Sequence, residues 1–259
     1  MVRKPPFSLS RALPRMSWNK YNLYNIAKNR ANPPELSNKT LFQQKWLSKR
    51  LTRAYHGDEL SERQFTKLFK SKLPTVTGIT VEGGANTPVA SLAVAELERR
   101  LDFIVFRCHF APSVYAARQL CTHGKVMVNG KKMSYPSHLV RDGDIITVQP
   151  SAISMLARPN QQPGASTEEV KSESEQNTDA NSTSLKSRKD GWDVEHEFKY
   201  KPYSQPFMFI PDYLEVDYKA CSAVFLRSPV ARPGRTEIPT PFPSEIHALA
   251  HEFYARNRK

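Results

Sequence analysis

The chain has 259 residues, with 38 Lys plus Arg against 25 Asp plus Glu and 39% apolar residues. That is material for two modest cores, and the net charge of +13 points to a polyanionic partner, nucleic acid ahead of a membrane surface. No apolar run approaches the roughly 18 residues of a membrane-crossing helix, and Cys108, Cys121 and Cys221, odd in number and unrelated in spacing, imply a reducing compartment rather than disulfide staples.

The charge is concentrated at the front. Residues 1–75 carry +12 and residues 99–150 carry +5, while 76–98 carry −3 and everything after 150 is close to neutral. The first 34 residues hold seven Lys or Arg and no acid; Glu35 is the first carboxylate. Such a segment reads equally as a mitochondrial presequence and as a basic arm threading RNA. Within it Trp18, Tyr21 and Tyr24 alternate with Lys20, Lys28 and Arg30, a composition suited to stacking on bases while cations meet phosphates, or to an arm ordered by protein neighbours.

From Asn38 to His56 the apolar positions Leu47, Leu51, Ala54 and Tyr55 keep helical spacing, with Lys39, Lys45, Lys49, Arg50 and Arg53 on the remaining positions. His56 and Gly57 stop this helix. Ser61 and Gln64 form a capping-box pattern for a second helix, with Phe65, Leu68 and Phe69 inward and Arg63, Lys67, Lys70 and Lys72 outward. A loop over 74–95 leads to a helix from about Leu92 to Cys108, marked by Leu97, Leu101, Ile104, Val105 and Cys108. Pro112 breaks the chain, Ser113 caps a helix with Val114, Ala117, Leu120 and Cys121 inward, and Gly124 ends it. The period then switches to that of strands. Lys125 to Val128, Asn129-Gly130 and Lys131 to Met133 spell a hairpin with a type I′ turn, and Asp142-Gly143 precedes a strand from Asp144 to Gln149. Between Pro159 and Lys189 only Ala165, Val170, Ala180 and Leu185 are apolar, so this stretch is expected to be disordered. Pro211 to Pro229 is strand-like, and Ile246, Leu249, Ala250 and Phe253 mark a closing helix from Ser244.

The segment from Glu98 to Val148 closely resembles the S-four RNA-binding module. The resemblance rests on Arg-Leu-Asp starting at Arg100, Ala-Arg-Gln-Leu at 117–120, His123-Gly124, Val-Asn-Gly-Lys at 128–131 and Gly143-Asp144. Outside the module, residues 44–69, the YLEVDYKACSAVFLRSP stretch and residues 245–256 resemble the flanks of the small-subunit ribosomal protein S-four family, with Tyr213 where Trp is usual. The acid-free N-terminus and polar insert look most like a fungal mitochondrial version. Three departures stand out: Cys108-His109 replaces a usual Gly, Val114 replaces a usual Arg, and no N-terminal cysteine cluster is present.

The resemblance implies an α+β fold in which basic helices, with the C-terminal helix packed back on them, accompany a module of two helices on a bent antiparallel sheet. The expected division is a basic arm or presequence over 1–36, a helical domain over 37–97 with 206–259, the module over 98–150, and a polar, largely disordered insert over 151–205. The implied function is structural, in the small subunit of the mitochondrial ribosome in the matrix, where the protein binds the 5′ domain helix junction of the rRNA and supports assembly. Its partners would be neighbouring small-subunit proteins and mRNA near the entry channel, with no self-association. Motif matching carries Arg100, Arg118, Gln119, His123, Lys125, Asn129 and Lys131 to the RNA surface, joined by Arg99, Arg107, Lys132 and Arg141 and by the helical cations Lys45, Lys49, Arg50, Arg53, Arg63 and Lys67. These would bond phosphates and 2′-OH groups and read shape rather than sequence.

Catalysis and cofactors are not expected. Cys108, His109, Cys121 and His123 match no common zinc spacing, and both cysteines occupy apolar helical positions. Asp102 after Arg100-Leu101 is similar to the catalytic Arg-Leu-Asp of pseudouridine synthases that carry this module, but here it lies inside the module, with no catalytic domain following. An RNA-modifying enzyme and a non-ribosomal RNA-binding factor are the alternatives.

Overall fold

In the computed structural model the described residues are 13–31, 34–68, 94–157, 197–199, 201–229, 231–232 and 235–256. The expectations for residues 1–12, for Phe69, Lys70 and Lys72, for most of the 74–95 loop and for the 159–189 insert lie outside them.

Residues expected to form an arm instead build the first helix of the core, α1 (Lys20–Ala31). Trp18 stacks on Phe106 at 5.1 Å, Ser17 bridges to Ser113, and the Trp18 amide donates to the Pro112 carbonyl at 2.9 Å. Asn22 ties the approach together, donating through Nδ2 to the carbonyls of Arg15 and Ser17 while its Oδ1 accepts from the Arg15 amide. The inner face of α1 is Asn22, Leu23, Asn25 and Ile26. Two asparagines among four buried residues erase the apolar period, which is why composition suggested an arm.

The basic helical pair forms as expected. Thr40 and Gln43 make a capping box that starts α2 (Leu41–His56). At Gly57 a Cβ would lie 2.4 Å from the Phe65 ring, so glycine is required by close approach and not by backbone conformation. Ser61 and Gln64 exchange the two bonds of a second box at the head of α3 (Glu62–Leu68). The C-terminal helix α7 (Ser244–Arg256) packs back on both, through Ile246, Ala250 and Tyr254 at i, i+4 and i+8. Trp46 meets Phe253 edge-on, and the Tyr254 hydroxyl donates to Glu62.

The single helix expected over 92–108 is two, α4 (Ala95–Glu98) and α5 (Leu101–Arg107). Arg100 is extended (φ −74°, ψ 140°), because the 136–140 loop takes the bonds a continuous helix would use. The Leu101 and Asp102 amides donate to the carbonyls of His138 and Pro136, and the Val140 amide donates to that of Arg99. Leu97 and Leu101 are both buried, so the apolar spacing runs straight through the break.

Helix α6 (Val114–Thr122) is capped by Ser113, whose Oγ accepts from the Ala116 amide, and lies beside α5. The strands, in chain order, are β1 (Val126–Val128), β2 (Lys131–Lys132), β3 (Ile145–Val148), β4 (Leu156–Ala157), β5 (Glu197–Phe198), β6 (Leu214–Asp217), β7 (Ser222–Phe225), β8 (Ala231–Arg232) and β9 (Arg235–Thr236). Five of them form one antiparallel sheet in the order β2-β1-β3-β7-β6, while β4 with β5 and β8 with β9 make two short ladders. Asn129 and Gly130 sit at φ 49° and 77°, the left-handed pair that the hairpin needs. The 214–225 stretch, expected in the helical domain, is a hairpin that adds two strands to the module. There β7 covers the edge of β3 and buries Cys221, Ala223 and Phe225. Residues 151–157 and 197–199, expected in the disordered insert, form ordered structure at its two ends.

If α1 belongs to the core, Leu23→Ala should cost about 2–4 kcal/mol in urea unfolding of the full chain. An arm ordered only by protein neighbours would leave the midpoint where it was.

Candidate nucleic-acid interface

The module exposes polar side chains on α6, at the turn after it, on the hairpin and in the loop before β3. The burial of Val114, Ala117 and Cys121 turns Gln119 and Thr122 to solvent and leaves Arg118 half-exposed. Gly124, at φ 64°, reverses the chain and places Lys125 just before β1, behind the exposed His123. The hairpin then exposes Lys131 and Lys132 on edge strand β2, opposite Val128 and Met127. Arg141 stands exposed beside it, because the Arg141 amide and the Asn129 side chain both bond Asp144. Around the tip of β2, Tyr135 is 71% exposed. It was not among the expected contacts, since a lone aromatic in a polar loop has no period to mark it.

Not every expected cation reaches this surface. Arg107 does not: it is buried, forms a two-pronged pair with the buried Glu98 at 2.9 and 2.8 Å, and donates to the Pro239 carbonyl. The Tyr213 hydroxyl donates to the same Glu98 at 2.9 Å, so the residue standing in place of the usual Trp closes this cluster. Helix α5 is buried along its whole length, which is where an arginine must find a carboxylate rather than a phosphate. Lys45 is also interior, ion-paired with Glu252 of α7, because the buried stripe of α2 runs through Lys45, Ser48, Leu51, Thr52 and Tyr55. The sequence marked Leu51 and Tyr55 of that stripe, but added Leu47 and Ala54, which are only half-buried, in place of Lys45, Ser48 and Thr52.

Other expected contacts are partly committed. Arg100 grips the fully buried Asp102 through both Nε (3.1 Å) and Nη2 (2.7 Å), and only 12% of its side chain is exposed. Arg118 leans on the same carboxylate at 3.4 Å and keeps 35% of its side chain exposed. Arg99 donates to the Val140 carbonyl. The Asn129 side chain is spent on Asp144 and on the Ile145 amide. On the helices, Lys49 and Arg53 share Glu62, with Lys49 lying over the Trp46 ring at 4.8 Å. Arg50, Arg63 and Lys67 are exposed and form no ion pair among the described residues.

The Cys-His cluster has no metal-site geometry. Among the described residues no group of three or more His, Cys, Asp or Glu could hold an ion, and Cys108 and Cys121 are free and buried. His109 explains the departure at the usual Gly. Its φ is 62°, and the strain is offset by a bond from Nδ1 to the Tyr218 hydroxyl (3.0 Å) and an edge contact with Trp18. Burial first, then Arg107, lower its pKa to about 4, so it is a neutral packing residue.

Residues 99–146 match the family described as S4 domain. The whole chain is 41% identical to small ribosomal subunit protein uS4m of Schizosaccharomyces pombe, over 82% of that protein's length. Over 81% of this chain it is 31% identical to small ribosomal subunit protein uS4 of Ruegeria sp., and 30% to that of Dinoroseobacter shibae, covering 74% of each. The chain belongs to the uS4 family. Membership makes it a ribosomal protein and not an enzyme, and its likeness to the uS4m of a fungus assigns it to the mitochondrial ribosome. The likeness to uS4 proteins extends well beyond the S4 domain, as the flanking residues 44–69 and 245–256 led us to expect.

Two groups within this uS4 protein give measurable consequences. Glu98→Ala should destabilise the fold by about 3–5 kcal/mol, since it strands a buried guanidinium. The salt dependence of RNA binding should not change, because Arg107 never reaches the surface. The second group is Glu59, whose Oε1 is buried with no hydrogen-bond partner among the described residues. Burial raises its pKa to about 7, a smaller lift comes from Asp102, and its own backbone bond and the Arg100 and Arg118 charges act the other way. An acid whose folded pKa lies above its unfolded value favours the folded state below the unfolded value. That contribution is lost as pH rises from about 4.5 to about 7. Glu59→Gln should therefore stabilise the protein by on the order of 2–3 kcal/mol at pH 8 and by little at pH 4. Parallel pH–stability curves for the two proteins would contradict this.

Proposed function

We propose that this uS4 protein binds small-subunit rRNA through the edge formed by Arg118, Gln119, His123, Lys125, Lys131, Lys132 and Arg141, with Arg50, Arg63 and Lys67 of the helical pair as a second group. The observation that carries this reading is the sorting of the cations. Arg100, Arg107 and Lys45 are drawn inward by carboxylates and Arg118 is half-covered by Asp102, while Lys125, Lys131, Lys132 and Arg141 form no ion pair among the described residues. Phosphate oxygens are the partners that such a rigid, acid-poor edge fits, with the exposed Gln119 available to a 2′-OH. Two separated cationic groups on a fixed frame suit a place where several RNA helices meet. We therefore assign the protein to the 5′ domain junction, as an early support for subunit assembly. Neighbouring small-subunit proteins would complete its surroundings, with mRNA passing near the entry side and no self-association.

Changing Lys125, Lys131 and Arg118 together to Ala should weaken rRNA-fragment binding and lower the slope of log K against log salt by about 0.7–0.9 for each phosphate that is no longer neutralised. Arg118 should contribute least, being already shared with Asp102. An unchanged slope, measured by filter binding across a salt series, would remove this edge from the interface.

A further inference from the structure

Helix α1 is held in the core by one face and presents another to solvent. At about 100° per residue, Lys20, Tyr21, Tyr24, Ala27, Lys28 and Ala31 fall within about a third of the circumference, opposite Asn22, Leu23, Asn25 and Ile26, and all six are exposed. Tyr21 is 47% and Tyr24 57% exposed, and Lys20 Nζ lies 5.2 Å from the centre of the Tyr21 ring. Tyr24 touches no other ring among the described residues. Arg30 is exposed at the end of the helix, and no acid occurs before Glu35.

We infer that this face is a second RNA-contact surface, one that takes an unpaired strand by stacking bases on Tyr21 and Tyr24 while Lys20 and Lys28 meet its phosphates. The inference rests on the RNA-binding reading above and adds to it a different kind of RNA. The hairpin edge offers cations to backbone; α1 offers rings, which need a base face that a duplex keeps stacked inside. The two tyrosines lie about 4.5 Å apart along the helix axis, a step that successive unstacked bases can follow. A protein partner fits less well. The face has no aliphatic side chain larger than alanine, and lysine is depleted from protein interfaces where it is abundant here. Trp18 is not part of this surface, since its ring is spent on Phe106 and His109.

The test uses the full chain with two probes, a twelve-nucleotide single-stranded oligouridine carrying 4-thiouridine and a structured rRNA fragment. Tyr21→Ala with Tyr24→Ala should weaken oligouridine binding about tenfold per ring, with little change for the structured fragment. Tyr21→Phe with Tyr24→Phe should restore it, because stacking needs the ring and not the hydroxyl. Photocrosslinks should map to the peptide containing Tyr21 and Tyr24. Both positions are exposed, so equal melting temperatures will show that the fold is retained. Unchanged oligouridine affinity in the alanine variant overturns the inference while leaving the hairpin edge standing. Loss of co-purifying small-subunit proteins with RNA affinities unchanged also overturns it, in favour of a protein contact. Failure of the native chain to bind either RNA would overturn both readings.

Discussion

The structure turns on the cluster of Glu98, Arg107 and Tyr213. A carboxylate and a guanidinium removed from water cost several kcal/mol each, and their attraction repays this only when every remaining donor and acceptor is placed. Here α4 supplies the acid, α5 the base, the residue just before β6 a hydroxyl, and the segment leading to α7 a backbone carbonyl. None of these elements can shift alone without breaking a buried hydrogen bond to one of the two charges. The cluster therefore fixes the relation between the module and the chain that returns to the basic helices, whatever its net contribution to stability.

The same logic governs the rest of the charge. Asp102 absorbs Arg100 and part of Arg118, Glu62 holds Lys49 and Arg53, and Glu252 holds Lys45. Acids are scarce in the first 150 residues, and several of them are spent on internal or half-covered partners. What is left outside is a set of cations with few counter-charges nearby, arranged by α6, the hairpin and the helical pair. A strong surface potential thus follows from how the acids are used as much as from the excess of basic residues.

Much of this could be read directly from the residues. The Asn129-Gly130 turn, the capping box at Ser61-Gln64 and the Ser113 cap follow from local chemistry that tertiary contacts did not override. What escaped depended on distant partners. The break at Arg99-Arg100 is made by a loop some 40 residues downstream, through the bonds at 136–140. The burial of Lys45 requires Glu252, and that of Arg107 requires Glu98 and Tyr213. The role of α1 was hidden because asparagines, satisfied or enclosed by their neighbours, occupy half of its inner face. For the candidate site, charge and spacing named the cations but could not say which of the arginines were already engaged with carboxylates.

The short ladder of β4 with β5 has a consequence for how this protein can change. Leu156 pairs with Phe198 and Ala157 with Glu197, so the two ends of the intervening chain are clasped at one point, next to the packing of Phe198 on Tyr218. Closing a loop between fixed ends carries an entropy cost that grows only with the logarithm of its length, about 0.6 kcal/mol for each doubling. The clasp thus isolates the five-stranded sheet from whatever lies between 157 and 197. Residues can be inserted into that interval or deleted from it over generations while β3 and β7, on either side of it in sequence, keep their register.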